Sequence, residues 1–106
     1  MSEKLMNFGQ AIEALKAGKK VSRRGWNGRG MYLWMKPAFV IKPEMCSDQM
    51  LKQAVIDNGG ELLGLPTISI FTSDAGGRKA VLSGWVASPL DMLMDDWIIV
   101  GEFDNE

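Results

Sequence analysis

Breaker residues recur so often along this chain that only short elements fit between them. Gly18, Gly25, the Asn27-Gly28 pair, Pro37, Pro43, the Asn58-Gly59-Gly60 run, Pro66 and the turn-forming DAGGRK at 74–79 punctuate the sequence. Each element must therefore bury its apolar side against others, in one small core. At 106 residues the chain falls where single domains commonly lie, about 100 to 150 residues, and the expectation is one domain over 1–106. No apolar run approaches the roughly 18 residues of a membrane span. The start of the chain contains acidic residues and has a helical period, with no uninterrupted apolar stretch, which fits neither a secretory nor a transit leader. Together with the single Cys46, this predicts a soluble protein of the reducing cytoplasm.

Between the breakers the patterns are local and legible. In NFGQAIEALKA, residues 7–17, Phe8, Ile12 and Leu15 keep helical spacing behind Asn7, a natural N-cap, and Gly18 ends the helix. A short strand around Val21 stops at Gly25, and Asn27-Gly28 turns the chain into MYLWMK. There Met31, Leu33 and Met35 alternate with Tyr32, Trp34 and Lys36, so one face enters the core while the other shows aromatics to a partner or ligand. AFVIK reads as a short extended piece. SDQMLKQAVIDNGG reads as a central helix capped by Ser47, with Met50, Leu51, Ala54 and Val55 on one side. TISIFT and AVLSGWVA form a second hairpin about DAGGRK, with Trp85 on a strand. Ser88, Pro89 and Asp91 in ASPLDMLMDDW start a short helix with a capping box, and WIIVGEF closes as a strand. The fold class is α+β: a small antiparallel sheet of about five strands with an N-terminal helix, a central helix and a short helix before the last strand.

The chain has no histidine. This excludes histidine-based nucleophile activation, an imidazole base and His-containing metal sites, and one cysteine excludes a thiolate zinc site. Asp91, Asp95 and Asp96 leave a carboxylate magnesium site formally open, although such clusters are usually a solvated acidic face. The expectation is no metal and no cofactor.

Charge is segregated. Six basic and no acidic residues lie between Lys16 and Arg29, and six acidic and no basic ones between Asp91 and Glu106. This pattern fits pairing of the two ends between subunits or a local anion site, and the net charge of −1 argues against polymeric nucleic acid as the main ligand. Trp26 in GWNG fits two roles equally: a stacking surface for a base beside Arg23 and Arg24, or an indole folded back onto the core. Amides at the helix start near Ser88 suit an anion or a ribosyl hydroxyl, and Asp91 suits a hydroxyl or an adenine amino group as acceptor. Ser88 and Asp91 are also the residues that cap that helix.

NFGQAIEALKAGKKVSRRGWNGRGMYLWM and GWVASPLDMLMDDWIIV, in this order at the two ends, closely resemble the phage family known as the second type of Thoeris anti-defence protein. The resemblance implies a homotetrameric α+β sponge that sequesters a cyclic ADP-ribose isomer, glycocyclic ADP-ribose, in the infected bacterial cytoplasm; some relatives also take cyclic di- or trinucleotides. It implies a small-molecule partner, no membrane and no catalysis. Carried onto the matching segments, the ligand contacts are Phe8, Arg23, Arg24, Trp26, Asn27 and Tyr32 in the first, and Trp85, Ser88, Asp91 and Met92 in the second. It shifts Trp26 towards ligand or subunit interface. The rival readings are a protein–protein inhibitor of a host factor and a hydrolase of the same nucleotides that uses Asp91, Asp95 or Asp96 with magnesium.

Overall fold

The first helix begins where a short polar side chain satisfies its open amides. In the computed structural model, which describes residues 4–26 and 30–101, Asn7 accepts from the Gln10 amide at 2.8 Å and the Gln10 side chain accepts from the Asn7 amide at 2.9 Å. Helix α1 runs Phe8–Lys16, burying Ala11 and Leu15, and Gly18 turns away at φ +88°, a conformation that suits a residue without Cβ.

The chain forms two compact units, one from the residues before Pro37 and after Pro66 and one from Pro37–Pro66. The first holds α1 and a five-stranded sheet. Its strands are β1 (Val21–Arg23), β2 (Tyr32–Lys36), β5 (Thr67–Ser73), β6 (Lys79–Ser83) and β7 (Trp97–Ile99), ordered β6-β5-β2-β1-β7 with every pair antiparallel. Both hairpins expected from the sequence are present, and the α+β class holds. The Asn27-Gly28 turn itself lies outside the described residues. Helix α3 (Pro89–Leu93) precedes β7 and carries the expected capping box, the Asp91 amide donating to Ser88 Oγ and the Ser88 amide to the Asp91 carboxylate. Trp85 differs from expectation: β6 ends at Ser83, Gly84 turns at φ +93°, and Trp85 follows in a non-strand segment.

The period-two pattern divides the sheet. Val21, Leu33, Ile70 and Trp97 lie on one face and bury against Met6, Ala11 and Leu15, the removal of apolar surface from water being the main drive. Tyr32, Trp34 and Phe71 lie on the other, where Tyr32 and Phe71 stack at 5.1 Å and Lys20 sits 4.8 Å over the Tyr32 ring.

The second unit comprises β3 (Phe39–Ile41) paired antiparallel with β4 (Leu62–Gly64), a 3-10 turn at Pro43–Met45 and helix α2 (Gln49–Asp57). The α2 cap is Asp48, not Ser47: the Asp48 carboxylate accepts from the Met50 and Leu51 amides, and its charge suits the helix start. Of the expected apolar side only Val55 is buried, and Met50 is 85% exposed. Within its own unit the main packing partner of α2 is the 3-10 turn. Among the described residues no helix is long and apolar enough to cross a membrane.

Trp97 is fully buried and its indole N–H donates to the Asp91 carbonyl at 3.0 Å. Trp97→Ala is expected to cost about 3–5 kcal/mol, measured by urea unfolding; a loss under about 1 kcal/mol would show that Trp97 does not organise the core.

Candidate functional site

Alternation along β1 puts Val21 inward, Ser22 outward and Arg23 inward again, so a guanidinium enters the core opposite Trp97 of β7. Arg23 is 8% exposed and Asp91 9%. Burial of charge demands a partner, and the ends of α3 and β7 supply two. Arg23 NH1 donates to Asp91 Oδ1 at 2.8 Å and Nε to Asp96 Oδ1 at 2.9 Å, with NH2 near Asp96 Oδ2 at 3.4 Å. The Gly25 amide donates to Asp96 Oδ2 at 3.0 Å. A side chain at residue 25 would crowd this group, since its Cβ would lie 2.8 Å from Asp96 Oδ2 and 3.1 Å from Arg23 NH2.

The segregated charges therefore meet within the chain, a third outcome beside intersubunit pairing and an anion site. Antiparallel β1–β7 pairing brings basic and acidic segments together across some seventy residues of sequence.

Burial pushes the Asp91 carboxyl up, but bonds from the Ser88 amide, Arg23, Ser88 and Trp26 outweigh it and hold the group below the ordinary carboxylate range. Arg23 holds Asp96 down against burial, helped by the Gly25 amide. Arg23 itself is raised, foremost by Asp96, against burial and with Asp91. Both acids thus stay charged at neutral pH.

Over this ion triad sits an aromatic cluster. The Trp26 amide donates to the Arg23 carbonyl at 3.2 Å, closing a turn that lays its indole edge-on to Trp97, centroids 5.4 Å apart at 79°. Trp85 meets both Trp26 and Trp97 at 6.3 Å, and Phe8 lies 5.5 Å from Trp97. Edge-to-face arrays of this kind are favourable beyond their area alone. Trp26 Nε1 also donates to Asp91 Oδ1 at 3.3 Å, so the indole is fixed by packing and by the triad. Trp26 and Trp85 remain half-buried.

Of the residues predicted from sequence, Phe8, Arg23, Trp26, Trp85, Ser88 and Asp91 come together here. Met92 is exposed on α3 next to Asp91, and Arg24 is exposed in the turn between Arg23 and Trp26, its amide donating to the Asp96 carbonyl at 3.0 Å. Tyr32 is elsewhere, on the opposite face of the sheet from Leu33. Asn27 lies outside the described residues. Two residues that organise the cluster were not among the predicted ligand contacts: Asp96, weighed from sequence only as a magnesium or hydrolase carboxylate, and Trp97. The alternation of β7 and the excess of acid facing an inward arginine were the available signals. Helix α3 has only five residues, and its Asp91 amide is occupied by Ser88. The second unit holds an open cleft of about 490 Å³ bordered by Val40, Lys42 and residues 58–63, with Lys42 paired to Glu61; none of the sequence-predicted contacts lines it.

Arg23→Met is expected to destabilise the fold by about 3–5 kcal/mol at pH 7, because two part-buried carboxylates lose their cation. Depressed carboxyl pKa values contribute stability that is fully present above the unfolded value, about 3.9, and is lost as pH falls through the folded values. Uncompensated buried carboxylates behave oppositely, since protonation relieves them. The stability gap between parent and Arg23→Met should narrow between pH 7 and pH 4 in urea titrations; a gap independent of pH would contradict the triad.

Comparison with known proteins bears on what this arrangement serves. The family model for the Thoeris anti-defense 2-like domain matches residues 6–100, so the likeness runs through the centre of the chain as well as its ends. Thoeris anti-defense 2 of Bacillus phage SP01 is 35% identical over 97 residues, covering 90% of this chain and 94% of that protein. On a match of this extent, the chain belongs to the Thoeris anti-defense 2 family of phage proteins that counter Thoeris immunity.

Proposed function

We propose that this protein counters Thoeris by holding its nucleotide signal and doing no chemistry on it. It acts as a non-catalytic sponge for glycocyclic ADP-ribose, as a homotetramer in the cytoplasm of the infected cell, with cyclic di- and trinucleotides as further ligands. The observation that carries this reading is the contrast between indoles with open surface and carboxylates already spent. Trp26 and Trp85 are half-buried and packed edge-on against neighbouring indoles, which suits stacking on adenine. Arg24, on the exposed turn beside them, is the cation for the pyrophosphate.

A hydrolase that used one of these aspartates as its general acid would need a carboxyl tuned upward towards neutral pH. Asp91 and Asp96 are held in the other direction by Arg23 and by amide donors, which favours binding over catalysis. The affinity of such a site rests on preorganisation, and the triad supplies it by fixing the Trp26 indole before ligand arrives.

The direct test is to incubate the protein with glycocyclic ADP-ribose, remove free ligand, heat-denature, and chromatograph what is released. Intact ligand is expected; a cleaved product would mark an enzyme, and nothing released would leave a protein–protein inhibitor. Trp26→Phe is expected to keep the fold while losing the larger stacking surface and the indole N–H. Trp26→Ala should weaken binding by about 1–3 kcal/mol in calorimetry. Unchanged affinity in both variants would remove Trp26 from the site.

A further inference from the structure

The two edges of the main sheet are treated differently. At β7 the edge is covered: Met6 exchanges both backbone hydrogen bonds with Trp97, at 2.8 and 3.1 Å. At β6 the sheet ends with no strand beyond it among the described residues. That edge carries no proline, glycine or bulge over Lys79–Ser83, and one charge, Lys79. Val81 is 57% exposed and Leu82 58%, so hydrophobic side chains stand open on both faces of one strand. A long apolar edge of this kind is a template for strand pairing, which proteins usually blunt.

The hydrogen-bond phase of β6 identifies what fits it. The Gly84 amide donates to the Ile68 carbonyl at 3.0 Å and the Asp74 amide to the Arg78 carbonyl at 2.8 Å, both in the register that pairs Ser69 with Ser83 and Ser73 with Lys79. Antiparallel ladders alternate, so residues 80 and 82 direct their N–H and C=O towards β5. Lys79, Val81 and Ser83 direct theirs outward. This outward set is symmetric about Val81. A second β6 running antiparallel, with Val81 opposite its own copy, places Lys79 opposite Ser83 in both directions and uses every outward group. The same register sets Leu82 against Ala80 of the other copy. It keeps the two Lys79 side chains at opposite ends, so no like charges face each other.

We propose that β6 is an interface strand whose partner is β6 of a second copy of this chain, joining two five-stranded sheets into one continuous sheet about a two-fold axis at Val81. The inference rests on the self-association in the reading above and not on the ligand. A closed, isologous contact of this kind satisfies the edge in both copies at once.

The test uses two substitutions in the full chain. Val81→Pro removes an amide that points away from β5, so the hairpin is spared and only the outward ladder is broken. Val81→Lys sets two ammonium groups directly opposite each other without altering any backbone group. Sedimentation equilibrium of the parent is expected to give an even multiple of the 11.7 kDa chain, and each variant half the parent mass with native near-ultraviolet dichroism. The amides of Lys79, Val81 and Ser83 should exchange slowly in the parent and roughly tenfold faster or more in Val81→Lys. A monomeric parent would overturn the proposal together with self-association. A parent assembly that survives Val81→Lys, with fast exchange at Val81 and Ser83, would overturn the β6 assignment alone. Ligand release from the same samples reports the sponge reading separately.

Discussion

A buried guanidinium bridging two carboxylates is the contact on which this molecule turns. Arg23 lies in the core, and such a charge is tolerated only when its donors are matched. Here Asp91 and Asp96 take all three nitrogens of the guanidinium, and the surrounding amides of Ser88 and Gly25 fill remaining acceptor positions. The triad ties β1 to α3 and to the start of β7, elements far apart in sequence. It also fixes the angle at which the chain leaves β1, because the turn to Trp26 is closed on the Arg23 carbonyl.

From that contact the rest of the aromatic cluster follows. Trp97 fills the core between α1 and the sheet and donates to the Asp91 backbone, while Trp26 donates to the Asp91 side chain. One aspartate thus positions two indoles, and Trp85 and Phe8 close around them. Replacing a triad of this kind by apolar residues is often neutral or stabilising in other proteins. Its presence here fits a role in defining ring positions at the surface more than a role in stability. The same carboxylates, engaged by Arg23 and by amide donors, stay charged at neutral pH and are poor instruments for proton transfer.

Much of the fold was legible because it is encoded locally. Asn7, Ser88 with Asp91, the alternation of MYLWMK and TISIFT, and the DAGG turn each specify their own neighbourhood, and each appears where the sequence puts it. The α2 cap shifted by one residue because Ser47 and Asp48 both qualify, and the acid has the stronger claim. The site was legible in membership but not in roles. Arg23 reads as a phosphate ligand from its neighbours, yet its own place in the period of β1 points inward, and only the pairing of β1 with β7 shows which acids wait there. Trp26 could be read as ring surface or as core; it is partly both. The exposure of Met50 and Leu51 was not legible, because a helical stripe shows which residues share a face and says nothing of whether another element covers it.

The central claim is that Asp91, held ionised against burial by the Ser88 amide and Arg23, fixes the Trp26 indole. Following the indole N–H resonance of Trp26 as pH is lowered tests it most directly. The account predicts that the resonance stays in place through the ordinary aspartate range, about 3.9, and moves only at lower pH, together with the signal of the Arg23 NH1 protons that donate to Asp91. An indole resonance that titrates near 3.9 by itself, with the Arg23 signal unaffected, would contradict it.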